Sequence, residues 1–199
     1  MARSLPPADE VRAVVARIVD QFIRADTATS TIGGAATSAS AAGEAPVTRL
    51  AIGADHGGVA LKERLAADLR DRGYTVRDCG TRGTDPVDYP DIAHAVALLV
   101  ATGECQAGIV IDGAGIGSAI AANKVPGIRA ATCWDVSSAR NSREHNFANV
   151  LALGAGLIGE NLAREIIVAW LSTARGAARH ARRVAKIGQL EQRYGTSLE

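Results

Sequence analysis

No stretch of this 199-residue chain is apolar for long enough to cross a bilayer, and its first residues lack the uninterrupted apolar core of a secretory signal. Charge of one sign is missing too. The formal net charge is +1, which gives no global pull toward nucleic acid. A cytoplasmic protein with no membrane and no nucleic-acid partner is expected. Cysteine is scarce: Cys79, Cys105 and Cys133 are odd in number and lack metal-ligand spacing. They read as reduced thiols that mostly fill a core. No internal repeat is visible. What is present, at 47% apolar residues, suffices for one good core and an appendage.

The appendage comes first. Behind Pro6 and Pro7, the residues Val11, Val14, Val15, Ile18, Val19, Phe22 and Ile23 follow helical spacing. Asp9 and Glu10 suit the positive end of that helix. Residues 1–24 therefore read as one amphipathic helix with nothing local to cover its apolar stripe. Residues 25–47 are Ala, Ser, Thr and Gly in the main and read as a flexible linker. A sticky helix on such a tether suggests a docking segment. The alternatives are a helix folded back on its own domain or oligomer, and an organelle transit peptide. Asp9, Glu10 and Asp20 argue against the last, since transit peptides are poor in acidic residues.

The globular domain is expected over 48–199. Strands are predicted over 50–53, 75–78, 107–111, 129–132 and 150–153. Helices are predicted over 59–72, 91–102, 118–124, 136–144, 159–173 and 179–194, with a polar loop over 79–90. Alternating strands and helices imply an α/β fold: a Rossmann-like, doubly wound, five-stranded parallel sheet in three α/β/α layers. Such sheets bind ligands outside the carboxyl ends of their strands. Asp55 and His56 follow the first predicted strand, and Asp112 follows the third. Topology predicts that they converge.

The stretch after the third strand is the centre of the domain. Gly113, Gly115 and Gly117 alternate between a β-branched run and an Ala-rich helix. Glycines let a backbone approach a ligand, and N–H groups at a helix start favour an anion. The run lacks the spacing of a dinucleotide fingerprint and the Gly-Lys-Ser/Thr of a P-loop. Taken alone, it leaves the alternative of a tight turn with no ligand.

Several further motifs occur in order. They are Gly53-Ala-Asp-His-Gly-Gly58, Asp88-Tyr-Pro90, Ala121-Ala-Asn-Lys124, Gly127-Ile-Arg-Ala130, Arg143-Glu-His-Asn146 and Arg179-His-x-x-Arg183. Together with the glycine loop they resemble the ribose-5-phosphate isomerase B family, which includes the galactose-6-phosphate isomerase subunits. The resemblance runs from about residue 50 to 194. It implies a metal-free aldose–ketose isomerase working as a homodimer, with a tetramer of paired dimers as the alternative, and with each site at the subunit interface. By this resemblance Asp55 and His145 open the sugar ring. His56, Arg179 and Arg183 hold the phosphate, the arginines from the partner chain. Asn146, Tyr89 and the loop at Gly113, Ala114, Gly115 and Gly117 handle sugar oxygens and the enediolate.

The chain also departs from the family. Many members carry a cysteine base where this chain has Asp112, and another branch places a glutamate base at the position of Ser118. Ala114 stands where Thr or Ser is common, and an arginine that some members carry near Gly156 is missing. Asp112 is the expected base, with Ser118 the other catalytic candidate. The alternative is that Asp112 caps the glycine turn. The expected reaction is the interconversion of ribose 5-phosphate and ribulose 5-phosphate. The rivals are another short sugar phosphate, tetrose or hexose, and a non-catalytic sugar-phosphate-binding protein. Residues 1–24 resemble the encapsulation peptides of bacterial microcompartment cargo, which would make a shell protein a partner.

Overall fold

In the computed structural model, residues 46–195 are described. The amphipathic helix expected over 1–24 and the linker expected over 25–47 lie outside the described residues. The five strands are β1 (Arg49–Ala54), β2 (Thr75–Asp78), β3 (Ala107–Asp112), β4 (Ala130–Thr132) and β5 (Val150–Gly154). The helices are α1 (Val59–Asp71), α2 (Tyr89–Ala101), α3 (Ile116–Ala122), α4 (Val136–Asn146), α5 (Glu160–Ser172) and α6 (Ala178–Gly195). All strand pairings are parallel, in the order β2-β1-β3-β5-β4.

The period-2 alternation of the central strands sorts their side chains onto two faces. On one face Leu50, Ile52, Ile109 and Leu151 pack against Leu61, Leu65 and Leu69 of α1 and Ile166 and Trp170 of α5. On the other, the smaller Ala51, Val110 and Ala152 meet Val96 and Ala97 of α2 and Ala119 and Ala122 of α3. Each fully buried Leu or Ile contributes about 1.5–3 kcal/mol, so the first face carries most of the stability. This is the three-layer α/β/α sheet that the sequence predicts.

Element boundaries shift by one or two residues, and three of the shifts concern the site. Helix α2 starts at Tyr89 with Pro90 in its first turn, where a missing N–H costs nothing. Tyr89 thus belongs to a helix and not to a loop. Helix α3 starts at Ile116, two residues early, because Gly115 turns the chain with φ +76. Helix α4 is opened by a capping box between Asp135 and Ser138 and runs to Asn146, so His145 and Asn146 occupy its last turn.

The exits of four strands are tied at one edge. Ala54 N–H donates to the Gly80 carbonyl at 2.8 Å and Asp55 N–H to the Ile111 carbonyl at 3.1 Å. Ala155 N–H donates to the Asp112 carbonyl at 2.8 Å. Below them the buried Lys62 donates to both carboxylate oxygens of Asp78 (2.8 and 2.9 Å) and to the Thr81 carbonyl (2.8 Å). This ammonium pins the loop after β2 beneath the end of β1. Among the described residues no helix is long and apolar enough to cross a membrane.

Candidate functional site

The carboxyl edge of the sheet gathers Asp55, His56, Asp112, Ser118, Tyr89 and the glycine loop. Asp55 is half-buried, and its Oδ1 accepts the Gly58 N–H at 3.1 Å, ahead of α1. His56 is exposed, with Nδ1 3.4 Å from the Val87 N–H. The Tyr89 ring lies over Gly117: a Cβ there would be 2.6 Å from ring carbons. That contact explains the glycine by close approach.

Asp112 has the contacts of the capping alternative: its carboxylate turns back into its own turn. Oδ1 accepts N–H from Ala114 (2.8 Å) and from Gly115, and Oδ2 accepts the Ser118 N–H at 2.9 Å. It is only 5% exposed. Burial by itself would push this carboxyl up, but hydrogen bonds from the Ser118 side chain and backbone, then from Gly115 and Ala114, outweigh it. Together they hold the group below the usual carboxylate range. Ser118, itself buried, hydrogen-bonds Asp112 through both its backbone N–H and its side chain. The anion at this helix start is therefore the protein's own, and the N–H groups of Ala114, Gly115 and Ser118 are occupied by it.

His145, Asn146, Arg179 and Arg183 do not join this group within one chain. Helix α4 leaves the carboxyl end of β4 and runs 11 residues back along the sheet. It delivers His145 and Asn146 near Val150, which starts β5 opposite Gly108 at the start of β3. Asp112 pairs with Gly154 at the other end of those strands. At about 1.5 Å per helical residue the two groups lie about 16 Å apart along the strand direction. Arg179 and Arg183 stand exposed, one turn apart, on the start of α6, with His180 between them stacked on His145. The residues for which topology predicts convergence, Asp55, His56 and Asp112, share the carboxyl edge.

Two residues at this second edge have no role in the sequence reading. Arg129 closes α4: its Nε and Nη2 donate to the Phe147 carbonyl at 3.1 and 2.9 Å, and Nε also reaches the Asn146 carbonyl at 3.2 Å. A cation suits the orphan carbonyls of a helix end. The buried Arg143 donates from Nη1 to the Ala148 carbonyl at 2.8 Å and lies 4.9 Å over the Trp170 ring. Both arginines occur in the motifs quoted above, which is the signal that pointed to them. Among the described residues no cluster of His, Cys, Asp or Glu is built to hold a metal ion.

Residues 50–187 match the Ribose/Galactose Isomerase family. The chain belongs to this family. It is 47% identical over 145 residues to ribose-5-phosphate isomerase B of Escherichia coli, an alignment spanning 73% of this chain and 97% of that protein. It is 45% identical over 144 residues to D-erythrulose-4-phosphate isomerase of Pectobacterium atrosepticum, spanning 71% and 94%. Among solved structures, ribose-5-phosphate isomerase B of Clostridium thermocellum superposes with a TM-score of 0.73 at 53% identity, covering 73% of this chain and 99% of that one. The type B enzyme of Trypanosoma cruzi gives 0.72 at 42% identity, covering 74% and 99%. The family match leaves residues 1–49 outside it.

Proposed function

We propose that this isomerase interconverts ribose 5-phosphate and ribulose 5-phosphate through a cis-enediolate, in a site completed by a second copy of the chain. The observation that carries the reading is the separation of the two groups of site residues. Carboxylates and the glycine loop occupy one edge of the sheet, and the paired arginines with His145 and Asn146 occupy the other. A homodimer that lays one edge against the other's opposite edge brings them together twice, once per site.

In that site Arg179 and Arg183 of one copy clamp the dianionic phosphate, together with His56 of the other. Forked guanidinium groups suit this anion. Phosphate binding, remote from the reacting carbons, positions the sugar. Asp55 and His145 carry the proton traffic of ring opening. Tyr89, Asn146 and the loop amides that Asp112 leaves open meet the sugar oxygens and the enediolate. Asp112 removes the proton from C2. It must weaken a loop hydrogen bond to do so, and its low proton affinity makes the step slow. The resemblance of this position to a cysteine supports the assignment and gives its test. Asp112→Cys should raise kcat on ribose 5-phosphate, while Asp112→Asn should abolish solvent-deuterium incorporation at C2.

The similarity to D-erythrulose-4-phosphate isomerase favours a second reading, the same chemistry on a tetrose phosphate. Turnover measured across tetrose, pentose and hexose phosphates separates the two. Tight binding of every one of them with no exchange at C2 would point to a sugar-phosphate-binding protein instead.

Residues 1–24 serve docking in this proposal, their apolar stripe laid into a groove of a microcompartment shell protein. A helix of this length is marginal alone in water and gains from such a surface. A fluorescent protein carrying residues 1–24 should concentrate in shells, and the isomerase lacking them should keep its activity. Diffuse fluorescence in shell-making cells would remove the idea.

A further inference from the structure

The second edge holds an imidazole that the mechanism above leaves unused. His180 is 5% exposed. Its ring lies flat on that of His145, with centroids 4.2 Å apart and planes 6° from parallel. The backbone builds this approach. Gly176 N–H donates to the Glu144 carbonyl at 2.8 Å, tying the loop before α6 to the last turn of α4. A Cβ at position 176 would lie 2.7 Å from that carbonyl and 3.1 Å from Cδ2 of His180. Any larger residue there would push the two helix ends apart. On the same His145 ring, the Asn141 side-chain amide, one turn back on α4, places Nδ2 3.0 Å from Nδ1. An amide N–H donated to Nδ1 leaves the ring proton on Nε2.

We infer that His180 and Asn141 are positioning residues for His145: the stack fixes the plane of its imidazole, and the amide fixes which nitrogen carries the proton. The inference rests on the reading of His145 as a ring-opening group. An imidazole on the last turn of a helix otherwise turns about two side-chain bonds, and a misplacement of about 1 Å can cost about 100-fold in rate. The charges around His180 suit a neutral stacking partner. Burial first, then His145 of α4 and Arg179 and Arg183 of its own helix, hold its imidazole below the ordinary range, with Glu144 opposing.

The test uses the full chain with ribose 5-phosphate and the variants His180→Ala, His180→Phe, Asn141→Ala and His145→Ala. His180→Ala should lower kcat about 10-fold to 100-fold with KM changed less than about threefold. His180→Phe, which restores a flat ring without a proton, should recover most of that loss. The upfield ring-current shift of the His145 imidazole protons should be present in the parent and in His180→Phe and absent from His180→Ala. In Asn141→Ala the His145 nitrogen resonances should move toward a mixture of tautomers. Parent-like kcat and unchanged His145 resonances in His180→Ala would overturn the inference, as would a loss carried wholly by KM. If His145→Ala turns over like the parent, the ring-opening reading falls and takes the inference with it, even where the stack is seen in the resonances.

Discussion

At the carboxyl edge of the sheet the group that meets the glycine loop is the chain's own carboxylate. At the amino edge it is a pair of exposed arginines. Asp112 takes the N–H groups of Ala114, Gly115 and Ser118, so much of the anion-binding capacity of that helix start is already used. Arg179 and Arg183, one helical turn apart, present two forks in one direction. The first edge is internally hydrogen-bonded, and in the proposal above it holds the reacting carbons. The second is cationic and open, suited to anchoring a phosphate. The proposed site draws on both edges, which is why a second copy enters the proposal.

The sharpest way to break the comparison is to silence the carboxyl edge. Asp112→Asn keeps the shape of the side chain and removes its basicity, and turnover should fall by roughly two to four powers of ten. A variant with half the parental rate would return Asp112 to a purely structural cap. Silencing the other edge should act on binding. Arg183→Ala should weaken the apparent Kd of a sugar phosphate roughly 100-fold and leave an unphosphorylated sugar unaffected, read by calorimetry with both ligands. Equal weakening of both ligands would contradict the phosphate role.

A smaller effect should come from Gly117→Ala. Its Cβ would meet the Tyr89 ring at 2.6 Å. The ring must swing away, and kcat should fall about tenfold while the arginine edge and the Kd for phosphate stay as they are. The mildest expectation concerns acid. A carboxyl held low in the folded state stabilises the fold at pH above its unfolded value, near 4, and loses that contribution as pH falls through its folded value. Unfolding midpoints followed from pH 6 to pH 2 should therefore drop more steeply in the parent than in Asp112→Asn.

Much of this was readable from the residues. β-branched runs and helical stripes locate all five strands and six helices of the described residues, because each element buries a face whose period is fixed by its backbone. Asp55, His56 and Asp112 could be grouped, since strand exits in a parallel sheet share one edge. What could not be read was orientation. Whether Asp112 faces a ligand or its own loop depends on the turn at Gly115, whose left-handed φ brings the Gly115 N–H back onto the carboxylate. The stack of His180 on His145 was equally hidden: it depends on the approach of a loop at Gly176 to a helix end 32 positions earlier, at Glu144, and spacing carries no such information. Lys62 was the missed signal of another kind. It lies on the apolar stripe of α1, and a cation on such a stripe implies a buried partner, here Asp78.

The central claim, one site made from two chains, is tested most directly by mixing two impaired proteins, assayed at a substrate concentration that saturates the parent and leaves the arginine variant almost empty. Asp112→Asn supplies intact arginines, and Arg183→Ala supplies an intact loop. Unfolded together in equal amounts and refolded, they should form heterodimers in which one site of two is whole. Activity should then return to about a quarter of the parental value, since about half of the dimers are mixed. Activity that stays at the level of the separate variants, with mixed dimers verified by mass, would mean that each chain holds its own complete site.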